Sequence, residues 1–559
     1  MKKMMNIRNI TVTILVFVLL VSSSCKKFLT EDLYSNISPD NYFQTEKDAV
    51  GALATTYYFS TQFGSGNRMF FILTDMLTDD MDNVATEAAR KQLTSYSWSS
   101  SNTYFQSSWT ALYKTIEEAN LVIQRVPDIN VNFTTTTKDV VIGEARFLRA
   151  LQYFYLVQLW GSVPMPTVAP TAISETHVPK SSTSDIYNLI ISDLMYAETV
   201  LDWTPRVTGA ATRGAAKALL GKVYLTLAGP FSNRNNDYLV LAEAKLREVI
   251  ESGKYDLVPV YADYFDINKK GSVEAIYEHT AVGDADASVG SFMFYQTTPG
   301  SINNCWLNGT IHFIGSNGQG AWTATPGLWF SFNDKDVRKQ MHLTWKVDGS
   351  KAPSYSISAF AAPYIFKYLD FKTVYRDTKA NNLPVLRYAD VLLMYAEVLN
   401  ELGITNVQDG HDRYWYINQV RLRAFYGNTS SPDAIIASGL SKEDFRTSVM
   451  LERRLEFAHE GQRLFDLKRT GTFISTMTDY ATEYAPKAAN ASTEINNGSY
   501  SNTYTATYPN ATSPTTKTVK FNTSFLTNTK IVAPDPKDTL FPIPILELQT
   551  YDIGQNPGF

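Results

Sequence analysis

Helical periodicity runs through this chain, and it restricts the fold more than any single motif. Over residues 109–126 the positions Trp109, Leu112, Tyr113, Ile116, Ala119, Asn120 and Ile123 recur at i, i+3, i+4 and i+7, with Asn120 the one polar intruder. The stripe returns over residues 144–159 through Phe147, Leu148, Leu151, Phe154 and Tyr155, and Gly161 with Pro164 stops it. Further helices are predicted over about 214–228, ending at Gly229-Pro230, and about 238–250, ending near Gly253. A sharp face reappears over residues 387–402, where Tyr388, Val391, Leu392, Tyr395, Val398, Leu399 and Leu402 align, followed by helices over about 414–425 and 442–459. Helices in succession with short breaks predict a mainly α fold of hairpins stacked side by side.

Two regions break the pattern. Residues 272–383 mix Gly, Ser, Asn and Pro with scattered aromatics and are expected to form a loop-rich insertion. Residues 471–530 are rich in Ser, Thr and Asn and are expected to be extended or poorly ordered surface, whereas residues 541–559 are apolar enough to pack back on the body. Only Cys25 and Cys305 exist, so no disulfide framework is available, and a 559-residue chain of 44% hydrophobic composition must be held by its core. A net charge of −5 argues against nucleic acid. The 33 Tyr, 30 Phe and 9 Trp suit sugar stacking and helix packing alike.

The N-terminus carries Lys2, Lys3 and Arg8, an apolar run from Ile10 to Val21, and then Ser22-Ser23-Ser24-Cys25. That run is shorter than the roughly 20 residues a membrane span needs, and it fits a signal-peptide core before a small-residue cleavage site. Residues 1–24 are expected to be removed and Cys25 to be lipidated, with residues 25–45 as the tether. An ordinary secretory signal with a chance cysteine is the rival reading.

The search for chemistry returns little. The six histidines never fall at His-x-x-x-His spacing, which excludes a zinc-protease helix. Gly209 and Gly214 have phosphate-loop spacing, but Ala215-Ala216 replaces the Lys-Ser/Thr such a loop requires. Asp79-Asp80-Met81-Asp82-Asn83 hints at calcium, yet Val84 stands where the next oxygen ligand belongs, so no metal or cofactor is assigned. With 55 acidic residues, a glycosidase carboxylate pair cannot be read from sequence, and no catalytic residue is named. Arg387, Asp390 and Glu397 lie on or beside an apolar stripe, and Glu452, Arg453, Arg454 and Glu456 crowd another segment. Both sets are expected to be ion pairs holding helices together.

Several strings carry a family resemblance: Phe28-Leu29 after Cys25, residues 144–150 (EARFLRA), Gly161-Ser162-Val163-Pro164, residues 213–220 (RGAAKALL), 386–397 (LRYADVLLMYAE), 460–469 (EGQRLFDLKR) and the terminal QNPGF. In this order they resemble the SusD/RagB family of outer-membrane lipoproteins that capture nutrients for a TonB-dependent transporter of the SusC type. The resemblance implies a tetratricopeptide-like scaffold (residues 46–271 and 384–559) carrying a loop-rich ligand lobe (272–383). It also implies a non-enzymatic, surface-exposed, lipid-anchored protein that binds oligosaccharide, with peptide capture as the rival within the family and a surface glycoside hydrolase as the rival outside it. Aromatic residues that look exposed in loops, taken with the regions where the family places its ligand, give Asp80, Trp98, Asn102, Tyr295, Trp306 and Trp322 as expected ligand contacts.

Overall fold

The computed structural model describes residues 42–559 apart from 282–303, 314–320, 343–362, 369–379, 507–514 and some shorter gaps, so Cys25 and Tyr295 lie outside the described residues. The longer helices are α1 (Glu46–Thr61), α2 (Thr103–Arg125), α3 (Lys138–Trp160), α4 (Thr183–Val200), α5 (Arg213–Leu227) and α6 (Asn236–Glu251), then α7 (Tyr388–Leu402), α8 (Arg413–Ala424), α9 (Lys442–Glu456) and α10 (Phe473–Ala489). Side-chain oxygens of Thr45, Asn102, Thr137, Ser182, Thr212, Asn235, Asp412 and Ser441 cap the helices from α1 to α6 and α8 and α9, which is why each begins where it does. Each helix from α1 to α7 packs on the next, and α7 also packs on α8 and α9.

Because α6 packs on α7, the chain between them leaves the scaffold and returns to the place it left. β2 (Ala275–His279) pairs antiparallel with β6 (Leu383–Arg387) and clamps the two ends of that excursion together. Within it, β3 (Asn304–Leu307) and β4 (Thr310–Phe313) form a hairpin, and β5 (Trp322–Ala324) pairs with β1 (Met81–Asn83). A further pair, β7 (Ser501–Ala506) with β8 (Thr515–Lys520), follows α10.

The region expected to be extended surface after residue 471 instead starts with α10, whose Phe473, Met477, Tyr480, Ala481 and Tyr484 form a buried helical stripe. The expected charge pairing is present. Arg453 lies between Asp390 (2.7 Å) and Asp466 (2.9 Å), and Arg469 holds Glu397 (2.7 Å). At the junction of β6 and α7, Arg387 reaches Glu274, Glu456 and Glu460 at 2.5–2.9 Å.

His279, at the end of β2, is 3% exposed, and burial lowers its pKa from 6.5 to about 4. The unfolded chain therefore binds a proton there from pH 6.5 downward that the folded chain refuses until pH 4. Stability is expected to fall by about 3 kcal/mol as pH drops through that window. Denaturant titrations at pH 7 and pH 4.5 check this: His279→Leu should remove most of the difference, and an equal pH dependence in the variant would refute the assignment.

Candidate ligand groove

Four of the expected contact residues are buried. Trp98 is 4% exposed, enclosed edge-on by Tyr96, Phe105 and Phe541 at 5.4–6.0 Å between ring centroids. Trp322 is 0% exposed, because β5 is stitched to β1 with Trp322 opposite Asn83 and its ring lies against Phe71. Asn102 is the N-cap of α2, its oxygen accepting from the Tyr104 N–H at 3.1 Å while its amide donates to Ala89 O and Gln92. The Asp80 carboxylate is turned inward onto Arg454 at 2.6 Å. The neighbouring Asp79 binds Arg454 and Arg463, and Asp82 faces Lys530, so the acidic run is matched by cations. The exposure expected of these aromatics and of the Asp80 carboxylate is absent. Trp306 lies in β3 opposite Ile311.

The surface beside them holds a groove that the sequence reading did not name. Of about 650 Å³, it runs along the first three turns of α2, between that helix, the end of α1 and the loop before the short helix Ala88–Thr94. On α2 its wall is the polar line Thr103, Gln106, Ser107, Thr110 and Lys114, with Tyr104 and Ala111 from the buried set beside it. Phe59 and Gln62 come from α1 and its exit, and Glu87 from the loop. The N–H of Val84 bonds to Ala321 O at 2.9 Å, so the central insertion rejoins the described chain close to this loop.

The groove's polar groups are held in fixed orientations. Tyr104 donates to Glu87 (2.9 Å) and accepts from Arg90 Nε (2.9 Å), while Arg90 also pairs with Glu87 at 3.0 Å. Burial raises the Tyr104 pKa, so its hydroxyl stays protonated. Lys114 Nζ sits 5.5 Å from the Phe59 ring centroid and bonds to Glu117 and Glu118 at 3.0 Å. Burial alone would lower the Lys114 pKa, but the two glutamates outweigh it and keep the ammonium charged. An aromatic ring, amides, hydroxyls, a carboxylate and an ammonium thus converge on one concave strip, which suits a polyhydroxylated ligand with one apolar face. Glu87 is the one carboxylate among the described lining residues. Among the described residues no cluster of three or more His, Cys, Asp or Glu could hold a metal.

The fold and groove define a helical-hairpin binding scaffold. A model described as the SusD family matches residues 306–559, and one described as starch-binding associating with outer membrane matches residues 29–225. The chain belongs to the SusD/RagB family. It is 26% identical over 462 residues to a SusD-like protein of Formosa agariphila, covering 79% of this chain and 87% of that one. The crystal structure of a SusD homolog from Bacteroides thetaiotaomicron superposes with a TM-score of 0.72 at 24% identity over 93% of this chain and 98% of that one. A laminarin-binding SusD-like protein gives 0.64 at 21% identity, over 92% and 100%.

Proposed function

We propose that this protein is a cell-surface lipoprotein, anchored in the outer membrane through Cys25, that captures a glycan or oligosaccharide and delivers it to a SusC-like TonB-dependent transporter without cleaving it. The observation that carries this reading is the groove on α2, where the Phe59 ring lies among the donors and acceptors of Gln62, Glu87, Gln106, Ser107 and Lys114. The starch-binding, outer-membrane description of the N-terminal family model and the laminarin-binding relative support a glycan as the ligand class. Binding without cleavage is supported by the family descriptions, which name binding and no hydrolysis. Tyr295 and Trp306, on the central insertion, supply further contacts in this reading. A single acyl chain binds a membrane only marginally, so stable anchoring calls for multiple acylation at Cys25 together with docking on the transporter.

Calorimetric titration of the mature protein with plant, host and microbial oligosaccharides, followed by chromatography of the recovered ligand, tests the reading. Saturable binding of an intact glycan is expected, weakened roughly tenfold by Phe59→Ala through loss of one stacking face. Binding of peptides alone, or recovery of shortened sugars, would overturn it.

A further inference from the structure

We propose that a second cleft on α2 is a distal subsite for the same ligand, so that a long oligosaccharide spans both depressions while a short one occupies only the groove. The proposal rests on the groove being a glycan site. The second cleft, of about 380 Å³, lies between α2, the chain at residues 164–178 and the C-terminal stretch at 547–553. Its volume is that of a small-molecule site.

Three observations join the two depressions. Thr110 and Lys114, one turn apart on α2, line both of them. Gln106, on the wall of the groove, donates to Glu547, on the wall of the cleft, at 3.1 Å, so the rim of one is bonded to the rim of the other. The lining residues of the two depressions run from Thr103 to Asn120 on the shared helix, about 26 Å, the length of several sugar rings end to end.

The cleft also has the chemistry that a sugar needs. Two partly exposed rings stand in it with their orientations fixed from behind. Tyr113 packs on Trp109 at 4.9 Å and its hydroxyl donates to Pro164 O at 2.6 Å, while Tyr551 meets the His177 ring edge-on at 5.1 Å. Glu117 and Glu547 each engage one protein donor, Lys114 and Gln106, and each carboxylate retains acceptor capacity for ligand hydroxyls. As in the groove, rings and acceptors contributed by separate segments meet against α2.

The test is a length ladder. Size-fractionated oligosaccharides of laminarin, starch, xylan and mannan are titrated into the mature protein, into Tyr551→Ala, and into Val168→Trp, which fills the mouth of the cleft from a position 58% exposed and therefore free of folding demands. For the ladder that binds, affinity is expected to step up roughly tenfold beyond a threshold length, and both variants should abolish the step while binding the shortest members as the parent does. A ladder that binds with no step, or a step that both variants keep, overturns the distal subsite and leaves the groove reading standing. Failure of every ladder to bind overturns the groove reading and this one with it.

Discussion

Replacing Arg387 with methionine is expected to destabilise the protein by roughly 3–5 kcal/mol, because it strips the central cation from a buried, charge-balanced cluster. Arg338, Lys367, Arg387, Arg421 and Arg423 face Glu274, Asp336, Glu452, Glu456 and Glu460, five cations against five carboxylates among the described residues. Arg387 touches three of these carboxylates, Glu274, Glu456 and Glu460, and its guanidinium lies 4.9 Å from the ring centroids of both Tyr264 and Phe457. Burial by itself would raise the Glu456 pKa, yet Arg423, Arg387 and Arg338 hold that carboxyl well below the usual range. Methionine fills the space but leaves the cluster one charge out of balance in a medium where an unpaired carboxylate is poorly solvated. Equilibrium denaturation measures the loss. Arg387→Lys restores the charge without the planar fork and should recover only part of it. A loss below about 1 kcal/mol for the methionine variant would show that the cluster does not depend on its central member.

The second large effect is expected at Gly461. Its φ of +74° lies in the left-handed region, its N–H donates to the buried Asp75 carboxylate at 2.8 Å, and a methyl group added there would collide with the Phe70 ring. Phe70 has nowhere to retreat, since Phe63, Tyr155 and Phe465 surround it at 5.5–6.3 Å between ring centroids. Gly461→Ala should therefore combine about 1–2 kcal/mol of backbone strain with a similar or larger penalty of overpacking. Gly253 provides the control: its φ is +60°, and nothing lies within 4 Å of an added methyl. Gly253→Ala should show the backbone strain alone. Equal losses at the two positions would refute the clash with Phe70.

The helices were legible where apolar stripes were unbroken, as in α3 and α7, and the buried ion pairs were legible because Arg387, Asp390 and Glu397 interrupt such stripes. α10 was missed because its Ser, Thr and Asn content suggests loop, although Phe473, Met477, Tyr480 and Tyr484 keep helical spacing. Period outweighs composition there. Trp98 and Trp322 look exposed in sequence because what covers them is remote: Phe541 closes over one, and β1 with Phe71 over the other. The groove is assembled from three separate segments, and Phe59, Gln62 and Glu87 carry no local mark of it. Its one readable signal was the polar line Gln106, Ser107, Thr110 and Lys114 on α2, the face opposite the stripe that defined the helix.

The contact of Phe541 with Trp98 also fixes an order of events. Phe541 lies against Phe105 and Trp160, Pro542 O accepts from the Trp160 indole, and Asn556 donates to both Trp160 O and Phe541 O. Aromatic rings from the first third of the chain thus stay uncovered until residues made some four hundred positions later arrive. Such long-range closure slows folding. A nascent chain cannot complete this core, and a product truncated before residue 541 leaves Trp98, Phe105 and Trp160 without the ring that packs on all three.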